Sequence, residues 1–454
     1  MKQIISFLLL SLLFACSGVT KKSPPNIVVI FTDDQTYGAI GYNNPDIKTP
    51  TLDKLAAEGI IFQNNYTATP ICAASRASLM TGLFPQQNGT VALDSDSFIR
   101  NVCEDQGYPT LARIFNNAGY NTWFSGKSHL GPPEGYGFQK GVITQGPKDS
   151  VAFRNAINLI HAHQPGDKPF FLWMAPRQPH VPLIPDEKWL KLYDTAQISI
   201  GKNFRESPLM LSMFNQGLPG EFFSRDSDYT DNWKNLPSGP PRSEAVIKDF
   251  TKAYYATISN LDYQVGMLMD ALEEGGIKKN TVIVFLSDNG YFLGNHGLGN
   301  KLTMHEESVR VPLFIHWDGL KQKNIVSREL VSSLDIFPTI LELADITIPD
   351  HIYGKSLSPL FDKPDRPIHE FVASESVGVG GKTGQGHRMV RTREWKYILT
   401  GTNEEVLYNE NEDPLELHNL IDEHPEQANK MRMLMAGWMK QTGDQHQQAK
   451  QEQK

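Results

Sequence analysis

Two uninterrupted apolar runs in the chain each end in a pair of polar residues. Residues 26–34 read N-I-V-V-I-F-T-D-D, and residues 281–290 read T-V-I-V-F-L-S-D-N-G. Apolar runs without polar alternation, rich in β-branched residues, are typical of strands buried on both faces, as in a parallel sheet. Residues 168–175 (K-P-F-F-L-W-M-A) and 311–317 (V-P-L-F-I-H-W) have the same character and are two further candidate strands.

Helical stretches lie between these runs. Residues 49–58 read T-P-T-L-D-K-L-A-A-E, which predicts a helix with Thr49 as its N-cap and Gly59 just past its end. Residues 249–274 and 333–344 are also predicted to be helical. Strands that alternate with helices indicate an open α/β sheet, in which ligands bind beyond the carboxyl ends of the strands.

The pattern changes near residue 350. Beyond it, the chain is predicted to form short strands and one helix, at residues 371–373, 389–391, 396–400, 406–408 and 426–440. We therefore predict a main domain over residues 26–350 and a smaller C-terminal α+β subdomain over residues 351–440. Residues 441–454 cannot bury apolar surface and are predicted to be a disordered tail.

The amino terminus has the features of an export signal. Residues 1–15 combine a short basic start with an apolar run too short to span a bilayer, which indicates a secretory signal peptide. The sequence L-F-A-C-S-G then resembles a bacterial lipobox and predicts lipid attachment at Cys16, with residues 16–25 as a tether to the membrane. The alternative is cleavage near Ala15 with a soluble product. The prediction is an exported bacterial lipoprotein, in the periplasm or on the outer-membrane surface.

Charge narrows the range of partners. The chain of 454 residues has a formal net charge of −8 and no basic stripe, which argues against a nucleic-acid partner. An anionic substrate would have to be met by a few local cations.

The polar residues after the two long apolar runs are candidate metal ligands. Asp33 and Asp34 follow the first run, and Asp288 and Asn289 follow the second. Oxygen ligands without nearby Cys or His pairs favour Ca²⁺ or Mg²⁺ over zinc. A single aspartate at a strand end is more often a helix N-cap. Two such pairs side by side would bring like charges together, which requires either a bound cation or a raised pKa of a carboxyl group.

Several loops supply cations and proton carriers. Lys127 and His129 lie in S-G-K-S-H-L-G, two residues apart and facing one way if that segment is extended. His180 lies in Q-P-H-V-P, and Lys301 in N-K-L-T-M-H-E. Each residue alone could be an ordinary surface or core residue. Together they suit the stabilisation of a multiply charged oxyanion and the protonation of a leaving group.

Cys72 begins a segment, C-A-A-S-R-A-S-L-M-T-G-L, that is predicted to be helical over residues 73–83. Backbone N–H groups at a helix N-terminus favour negative charge, and Arg76 lies one turn further on. The alternative is a disulfide with Cys103, which an exported compartment would permit. That alternative leaves the arginine, the lysines and the acidic pairs unexplained.

This segment closely resembles the signature of type I sulfatases, the formylglycine-dependent members of the alkaline phosphatase superfamily. Around it, the chain contains N-I-V-V-I-F-T-D-D, G-K-S-H-L-G, P-H-V-P, S-D-N-G, H-G-L-G-N-K and V-R-V-P in the family's order. The match covers roughly residues 25–320. The later V-R-T-R-E-W-K-Y-I and L-Y-N-E-N-E-D-P-L-E-L-H-N-L also resemble the family's closing segment.

The resemblance implies a fold and a nucleophile. The fold is a large mixed, mostly parallel sheet sandwiched by helices, as in alkaline phosphatase, with a smaller C-terminal α+β subdomain. A maturation enzyme would oxidise Cys72 to formylglycine, and the hydrated aldehyde would attack sulfur. Its second hydroxyl would allow release of sulfate, which a serine could not provide. The domain over residues 26–350 would therefore be the catalytic domain.

The resemblance also implies residue roles. Asp33, Asp34, Asp288 and Asn289 would bind Ca²⁺ together with residue 72, and Arg76 and Lys127 would hold the hydrate. His129 would handle the hydrate's proton, His180 would serve the leaving alcohol, and Lys301 would grip the sulfate. Lys127 and His180 would also contact substrate, and His296 is a further candidate for that role.

The sequence departs from the family's commoner pattern beside this set. Ala74 stands where many members have Pro, Ser128 where Trp is usual, and His305 where Tyr is common. Because these positions flank the reacting groups, the last two bear on substrate fit rather than on the chemistry.

The function that follows is a sulfatase acting on sulfated saccharides outside the cell. One alternative is a phosphonate monoester or phosphodiester hydrolase of the same superfamily. Another is a lipoprotein that binds glycans without turnover, if Cys72 is never converted. A P-loop reading of S-V-G-V-G-G-K-T fails, because Ser376 stands where the first glycine is required.

Overall fold

The computed structural model describes residues 23–91, 107–146, 148–164, 166–204, 244–376, 386–401 and 403–444. Its first ten strands are β1 (Asn26–Thr32), β2 (Ile60–Tyr66), β3 (Asn121–Gly126), β4 (Lys140–Ile143), β5 (Phe170–Ala175), β6 (Thr281–Ser287), β7 (Phe292–Leu293), β8 (Gly299–Asn300), β9 (Leu313–His316) and β10 (Ile325–Ser332). Eight of them form one sheet in the order β10-β2-β9-β6-β1-β5-β3-β4, and β7 pairs with β8.

The sheet is mixed and mostly parallel, as predicted. Among the described residues, the only antiparallel pairings in this sheet are those of β9 with β2 and with β6. All four apolar runs form strands: they are β1, β5, β6 and β9, and every residue in each of these strands is buried. The direction of β9 could not be predicted, because burial on both faces gives the same apolar run in either direction.

Helices pack on both faces of the sheet. They are α1 (Pro50–Ala57), α2 (Cys72–Thr81), α3 (Pro85–Asn88), α4 (Leu111–Asn117), α5 (Ser150–His161), α6 (Glu187–Leu190), α7 (Glu244–Glu274), α8 (Glu306–Val309), α9 (Ile336–Leu343), α10 (Pro359–Asp362) and α11 (Pro425–Thr442). One core cluster joins α2, α4 and α9 to the sheet, and a second joins α1, α5 and α7 to the opposite face.

The start of α1 differs in one detail from its prediction. Thr49 occupies the N-cap position, but its side chain makes no capping hydrogen bond. Its hydroxyl accepts from Gly41 and donates to Asp53 instead. The carboxylate of Asp262, on α7, accepts the free N–H groups of residues 51–52 at 3.2 and 2.7 Å, so the cap comes from a distant helix.

A four-stranded antiparallel sheet follows, formed by β11 (Val372–Ser376), β12 (His387–Arg391), β13 (Trp395–Leu399) and β14 (Glu405–Asn409). Helix α11 packs against it, which gives the predicted α+β subdomain. The predicted tail begins too early, because α11 continues to Thr442. Asp444 also forms a bidentate pair with Arg388, at 2.7 and 2.9 Å. Residues 445–454 lie outside the described part of the chain.

At the other end, the predicted tether runs into the folded domain. The carbonyl groups of Pro24 and Pro25 accept hydrogen bonds from Asn280 and Tyr120, each at 3.1 Å. The signal segment and Cys16 lie outside the described residues. Within the described residues, no helix combines the length and the apolar character needed to cross a membrane.

Candidate active site

The four residues predicted as metal ligands meet at one edge of the central sheet. β1 and β6 are parallel neighbours whose last residues lie opposite each other, so the residues that follow emerge side by side. The Asp34 backbone N–H donates to Oδ1 of Asp288 (3.1 Å), and the Asn289 amide donates to Oδ1 of Asp34 (2.7 Å). Asp33, the fourth residue, is completely buried beside them.

Helix α2 brings Cys72 and Arg76 to the same place. Cys72 is the first residue of the helix, is 2% exposed, and has its Sγ 3.9 Å from Oδ1 of Asp34. Arg76 donates to Oδ2 of Asp288 (2.8 Å) and to the Lys127 carbonyl (3.1 Å). The structure records Cys72 as a free thiol, and Cys103 lies outside the described residues.

Lys127 and His129 follow β3. Gly126 ends this strand at φ +125°, and a Cβ there would lie 2.0 Å from the carbonyl oxygen of Ala175, so only glycine permits the approach. The Lys127 N–H donates to that carbonyl (2.8 Å), and its Nζ forms an ion pair with Asp33. His129 has φ +56°, so the segment is not extended at this residue, but both side chains still line one cavity.

His180 lies in the loop after β5. Its Nε2 is 3.7 Å from Oδ2 of Asp34, and its Nδ1 is 2.5 Å from the carbonyl oxygen of Val181. The buried carboxylate of Asp149 holds this loop, because it accepts the backbone N–H groups of residues 177–178, both at 2.8 Å. Sequence reasoning missed Asp149, which lies 28 and 29 residues from these partners in no recognisable motif.

Lys301 reaches the site from the segment that follows β8. It is 6% exposed, its Nζ lies 2.7 Å from Sγ of Cys72, and it forms an ion pair with Asp34. His305, in the same segment, is completely buried, with its Nε2 3.3 Å from the hydroxyl of Tyr408 on β14. The less common residue at position 305 therefore contacts the C-terminal sheet.

His296 lies to one side of these groups and is 1% exposed. Its Nε2 lies 3.1 Å from the amide nitrogen of Asn203 and 3.7 Å from a carboxylate oxygen of Glu307. Its ring centroid is 5.0 Å from that of His305. Its role as a substrate contact stays a prediction.

Burial and charge act in opposite directions on the acidic residues. Burial alone would raise the pKa of Asp33, but Lys127, His180 and Arg76 together hold that pKa well below its usual value. The pKa of Asp288 rises to about 7, because it is buried and lies near Asp33. The carboxylate of Asp33 is therefore firmly ionised. The neighbouring carboxylate of Asp288 would be kept ionised by an additional cation bound in the site.

The thiol and the two histidines are held in their neutral forms. Burial, with Asp33 nearby, raises the pKa of the Cys72 thiol well above its usual value. Burial and the charge of Lys127 lower the pKa of His129 to about 3 and that of His180 to about 4. A protonated thiol is a poor nucleophile, so Cys72 in this form has the opposite character to an activated cysteine.

The donor set fits a hard divalent cation. Oxygen or nitrogen atoms of Asp33, Asp34 and His180 lie, with Sγ of Cys72, within 4.8 Å of one another. Oδ1 of Asp33 and Oδ1 of Asn289 are buried without a hydrogen-bond partner among the described residues. Buried oxygens without partners are costly, and a cation such as Ca²⁺ would satisfy them.

A cavity of about 380 Å³ opens beside the buried groups. Lys127 and His129 belong both to its wall and to the predicted catalytic cluster, which is the group of charged side chains around Cys72. The wall is completed by Ser128, Gly131, Ile143, Thr144, Gln145 and Arg177. None of these residues is acidic, so the cavity suits an anionic ligand.

Comparisons with known proteins agree with this geometry. The sulfatase family model matches residues 25–346, and the model for the C-terminal region of N-sulphoglucosamine sulphohydrolase matches residues 294–443. An ulvan-active sulfatase of Formosa agariphila is 30% identical over 434 residues, which cover 92% of this chain and 82% of the relative. An N-acetylglucosamine-6-O-sulfatase of Bacteroides thetaiotaomicron is 26% identical over 521 residues, covering 96% and 90%.

Solved structures share the fold. A protein in complex with D-glucosamine-2-N,6-O-disulfate has a TM-score of 0.79 at 24% identity and covers 93% of this chain and 99% of its own. A phosphonate monoester hydrolase of Agrobacterium radiobacter has a TM-score of 0.73 at 18% identity, covering 93% and 96%. The family model matches well over half of the chain, and the resemblance seen in the sequence is confirmed. The chain belongs to the sulfatase family, whose members hydrolyse sulfuric esters.

Proposed function

We propose that this sulfatase releases sulfate from sulfated saccharides, with formylglycine made from Cys72 and a Ca²⁺ ion held by the four strand-end residues. The observation that carries the proposal is the setting of Cys72. It is the first residue of α2, in the signature C-A-A-S-R, and it lies beside Lys301 and the acidic pairs. Its raised pKa keeps the thiol protonated, so it would not react as a thiolate. A cysteine so placed suits conversion to another nucleophile better than direct attack.

The converted residue and the cation supply chemistry that the side chains alone lack. Hydrated formylglycine supplies one hydroxyl for attack and a second for release, and bound Ca²⁺ offsets charge on the sulfuryl oxygens. Asp33, Asp34, Asp288 and Asn289 would hold the ion. A maturation enzyme is the partner that this chemistry requires.

The surrounding cations orient the reacting groups. Arg76 is fixed by Asp288 and the Lys127 carbonyl, so its guanidinium stays in the site as a fixed positive charge. Lys127 and Lys301 carry buried ammonium groups, the first paired with Asp33 and the second beside residue 72, and both would act on a sulfuryl group that develops negative charge there. Charges fixed before the reaction stabilise such a transition state without reorganisation.

The two histidines would carry the protons. The carbonyl of Val181 can only accept, so the short contact assigns the proton of neutral His180 to Nδ1 and leaves a lone pair on Nε2, directed at the site. Nε2 would take up a proton from solvent before it donates that proton to the leaving alcohol. Nδ1 of His129 is buried without a partner among the described residues, and this ring would take the proton of the nucleophilic hydroxyl.

A saccharide is the substrate class with the best support. The relative from Formosa agariphila is named for activity on ulvan, and the relative from Bacteroides thetaiotaomicron for activity on N-acetylglucosamine 6-sulfate. Export and lipid attachment at Cys16, predicted from the sequence, would place the enzyme where polysaccharides are met outside the cell.

The test uses the full chain made in a host that contains the maturation enzyme. Mass spectrometry of the peptide containing Cys72 should give the mass of formylglycine, and sulfate should be released from sulfated sugars and more slowly from aryl sulfates. A Cys72→Ala variant should release none. Converted protein that releases no sulfate from either substrate class would overturn the proposal, and so would an unconverted thiol in that host.

One other activity has a specific observation in its favour. The fold is shared with a phosphonate monoester hydrolase, and the same cations would stabilise a phosphoryl group. Rates on matched aryl sulfate and aryl phosphonate or phosphodiester substrates separate the two activities. We expect the sulfate ester to be preferred. Saccharide binding without turnover, by protein whose Cys72 is never converted, would point to a binding protein.

A further inference from the structure

The cavity beside Lys127 contains one cation that the proposed chemistry does not use. Arg177 lies two residues after β5 and contributes to the cavity wall. Its Nη2 donates to the carbonyl of Val181. Its other guanidinium N–H groups make no hydrogen bond to any residue between 23 and 444 that the structure describes, and no carboxylate there lies within ion-pair distance.

The position of Arg177 is fixed before any ligand arrives. Its backbone N–H donates to Oδ1 of Asp149 at 2.8 Å, and the next backbone N–H donates to Oδ2 at the same distance. Both oxygens of this buried carboxylate accept backbone N–H groups, and its charge acts on the guanidinium only over more than ion-pair distance. An arginine held both at its backbone N–H and at its guanidinium, with further guanidinium N–H groups available, can bind an oxyanion without first rearranging.

The cavity has the charge and size for part of a sugar. Its volume of about 380 Å³ is in the range of small-molecule sites, and its other polar groups are neutral donors and acceptors on Ser128, Thr144 and Gln145. Lys127 joins the cavity to the catalytic cluster. A ligand that places its scissile sulfate near Cys72 could therefore extend past Lys127 towards Arg177.

We propose that Arg177 binds a second anionic group, a sulfate or a carboxylate, on the saccharide whose scissile sulfate lies at residue 72. The inference rests on the proposed saccharide sulfatase function and narrows it to substrates with a second negative charge. Arg177 is then a specificity-determining residue, and the anion it binds is not the one that is cleaved.

The test compares sugars that differ by one charged group. The first pair is N-acetylglucosamine 6-sulfate and glucosamine 2-N,6-O-disulfate; the second is a 6-sulfated glucosamine with and without a linked glucuronate. Binding is measured by calorimetry on the Cys72→Ala chain, so that turnover is not needed. We expect the doubly charged member of at least one pair to bind more tightly. The pair that responds identifies the anion.

Replacing the arginine should remove that difference. Arg177→Gln should weaken binding of the doubly charged sugar by about 10- to 100-fold, the range for a lost charge-assisted hydrogen bond, and Arg177→Lys by less. Arg154→Gln removes the same charge from the exposed face of α5 and is the matched control, with no change expected. In enzyme that carries formylglycine, Arg177→Gln should lower kcat/KM for the doubly charged sugar relative to kcat/KM for an aryl sulfate, by about the same factor as it weakens binding.

Two results would overturn the inference. One is equal binding, or no binding, of both members of both pairs by the chain with Arg177 intact. The other is a preference that survives Arg177→Gln. Neither touches the proposed function, which fails if Cys72 stays an unconverted thiol in the maturation host, or if converted enzyme releases no sulfate from any sulfated sugar or aryl sulfate.

Discussion

The Nζ of Lys301 lies 2.7 Å from the Sγ of Cys72, although 229 residues separate them along the chain. Burial alone would lower the pKa of Lys301, but Asp34 and the other acidic groups of the site raise it well above its usual value. The ammonium group is therefore charged at any working pH. In the proposed mechanism, this charge lies close enough to residue 72 to act on a sulfuryl group bound there.

Replacing Lys301 should damage catalysis far more than folding. We expect Lys301→Met to lower kcat/KM for a sulfate ester by roughly 100- to 1,000-fold, the loss typical of one preorganised donor to a developing negative charge. Steady-state release of sulfate measures the effect. Lys363→Met, at an exposed lysine, is the control. A Lys301→Met enzyme within threefold of the parent would show that this charge does not act on the transition state.

Calcium should stabilise the fold through the strand-end residues. Binding at 100 times Kd adds about 2.7 kcal/mol to the free energy of unfolding, so the melting temperature should rise with CaCl₂ and fall with a chelator. MgCl₂ should have a smaller effect, because Mg²⁺ gives up its water reluctantly. Asp33→Asn removes the buried carboxylate whose Oδ1 has no partner among the described residues, and should abolish the shift.

The control for this experiment is Asp362→Asn, at an exposed aspartate that pairs only with a surface lysine among the described residues. It should retain the full response to CaCl₂. An undiminished shift in Asp33→Asn would exclude Asp33 as a ligand.

Much of this site was predictable because its chemistry lies in short local patterns. Asp33 and Asp34 stand directly after an apolar run, and Cys72 and Arg76 stand in one signature, so no long-range information was needed. The residues that hold the site's loops in place were not predictable. Asp149 acts through backbone N–H groups 28 and 29 residues away, and such a contact leaves no trace in the pattern around either partner.

Four strands of the main sheet, β2, β3, β4 and β10, also escaped prediction, and for β2 and β10 the physical reason is visible in their sequences. β2 reads I-I-F-Q-N-N-Y, and β10 reads I-V-S-R-E-L-V-S, so polar residues interrupt both apolar runs. In β2, Asn64 donates to the backbone of residue 328 across the neighbouring strand, so a polar residue serves the pairing of two strands. A contact of that kind depends on the partner strand, which the periodicity along one segment does not reveal.

Glu375 gives a pH dependence that can be separated from the metal site. This residue of β11 is buried, its Oε2 has no hydrogen-bond partner among the described residues, and burial, with Asp444 nearby, raises its pKa to about 8. Between the unfolded pKa near 4.5 and the folded pKa, only the folded state holds the proton. This group therefore stabilises the fold at low pH, and that stability is lost as the pH rises towards 8.

The Glu375→Gln variant should reverse that loss. In the parent, the backbone N–H of Gln86 donates to Oε1 of Glu375 at 2.9 Å. The amide of the variant keeps an oxygen that can accept this hydrogen bond, and it carries no charge. Thermal melts at pH 5 and pH 8 should show the variant close to the parent at pH 5 and more stable than the parent at pH 8. Glu370→Gln, on the exposed surface, should show no such divergence. Parallel curves for parent and Glu375→Gln would mean that Glu375 is ionised in the folded state.

Lys396 is the buried cation that joins the main domain to the C-terminal sheet. It is completely buried on β13, and its Nζ lies 2.6 Å from Oε1 of Glu306, 2.6 Å from Oε1 of Glu416 and 3.6 Å from Oε1 of Glu410. Glu306 is the first residue of α8 and lies five residues after Lys301, so the ion cluster holds the end of the segment that carries Lys301. Three carboxylates depend on this one ammonium group and on Arg391 and Arg310 beside it.

We expect Lys396→Met to destabilise the fold by roughly 3–5 kcal/mol, because removing one partner leaves buried charge uncompensated. Chemical denaturation followed by tryptophan fluorescence measures the loss, and Lys430→Met, at an exposed lysine of α11, should stay within about 0.5 kcal/mol of the parent. Adding Glu416→Gln to Lys396→Met should recover part of the loss, since one unpaired carboxylate is neutralised. A double variant no more stable than Lys396→Met would mean that methionine at position 396 acts through packing rather than charge.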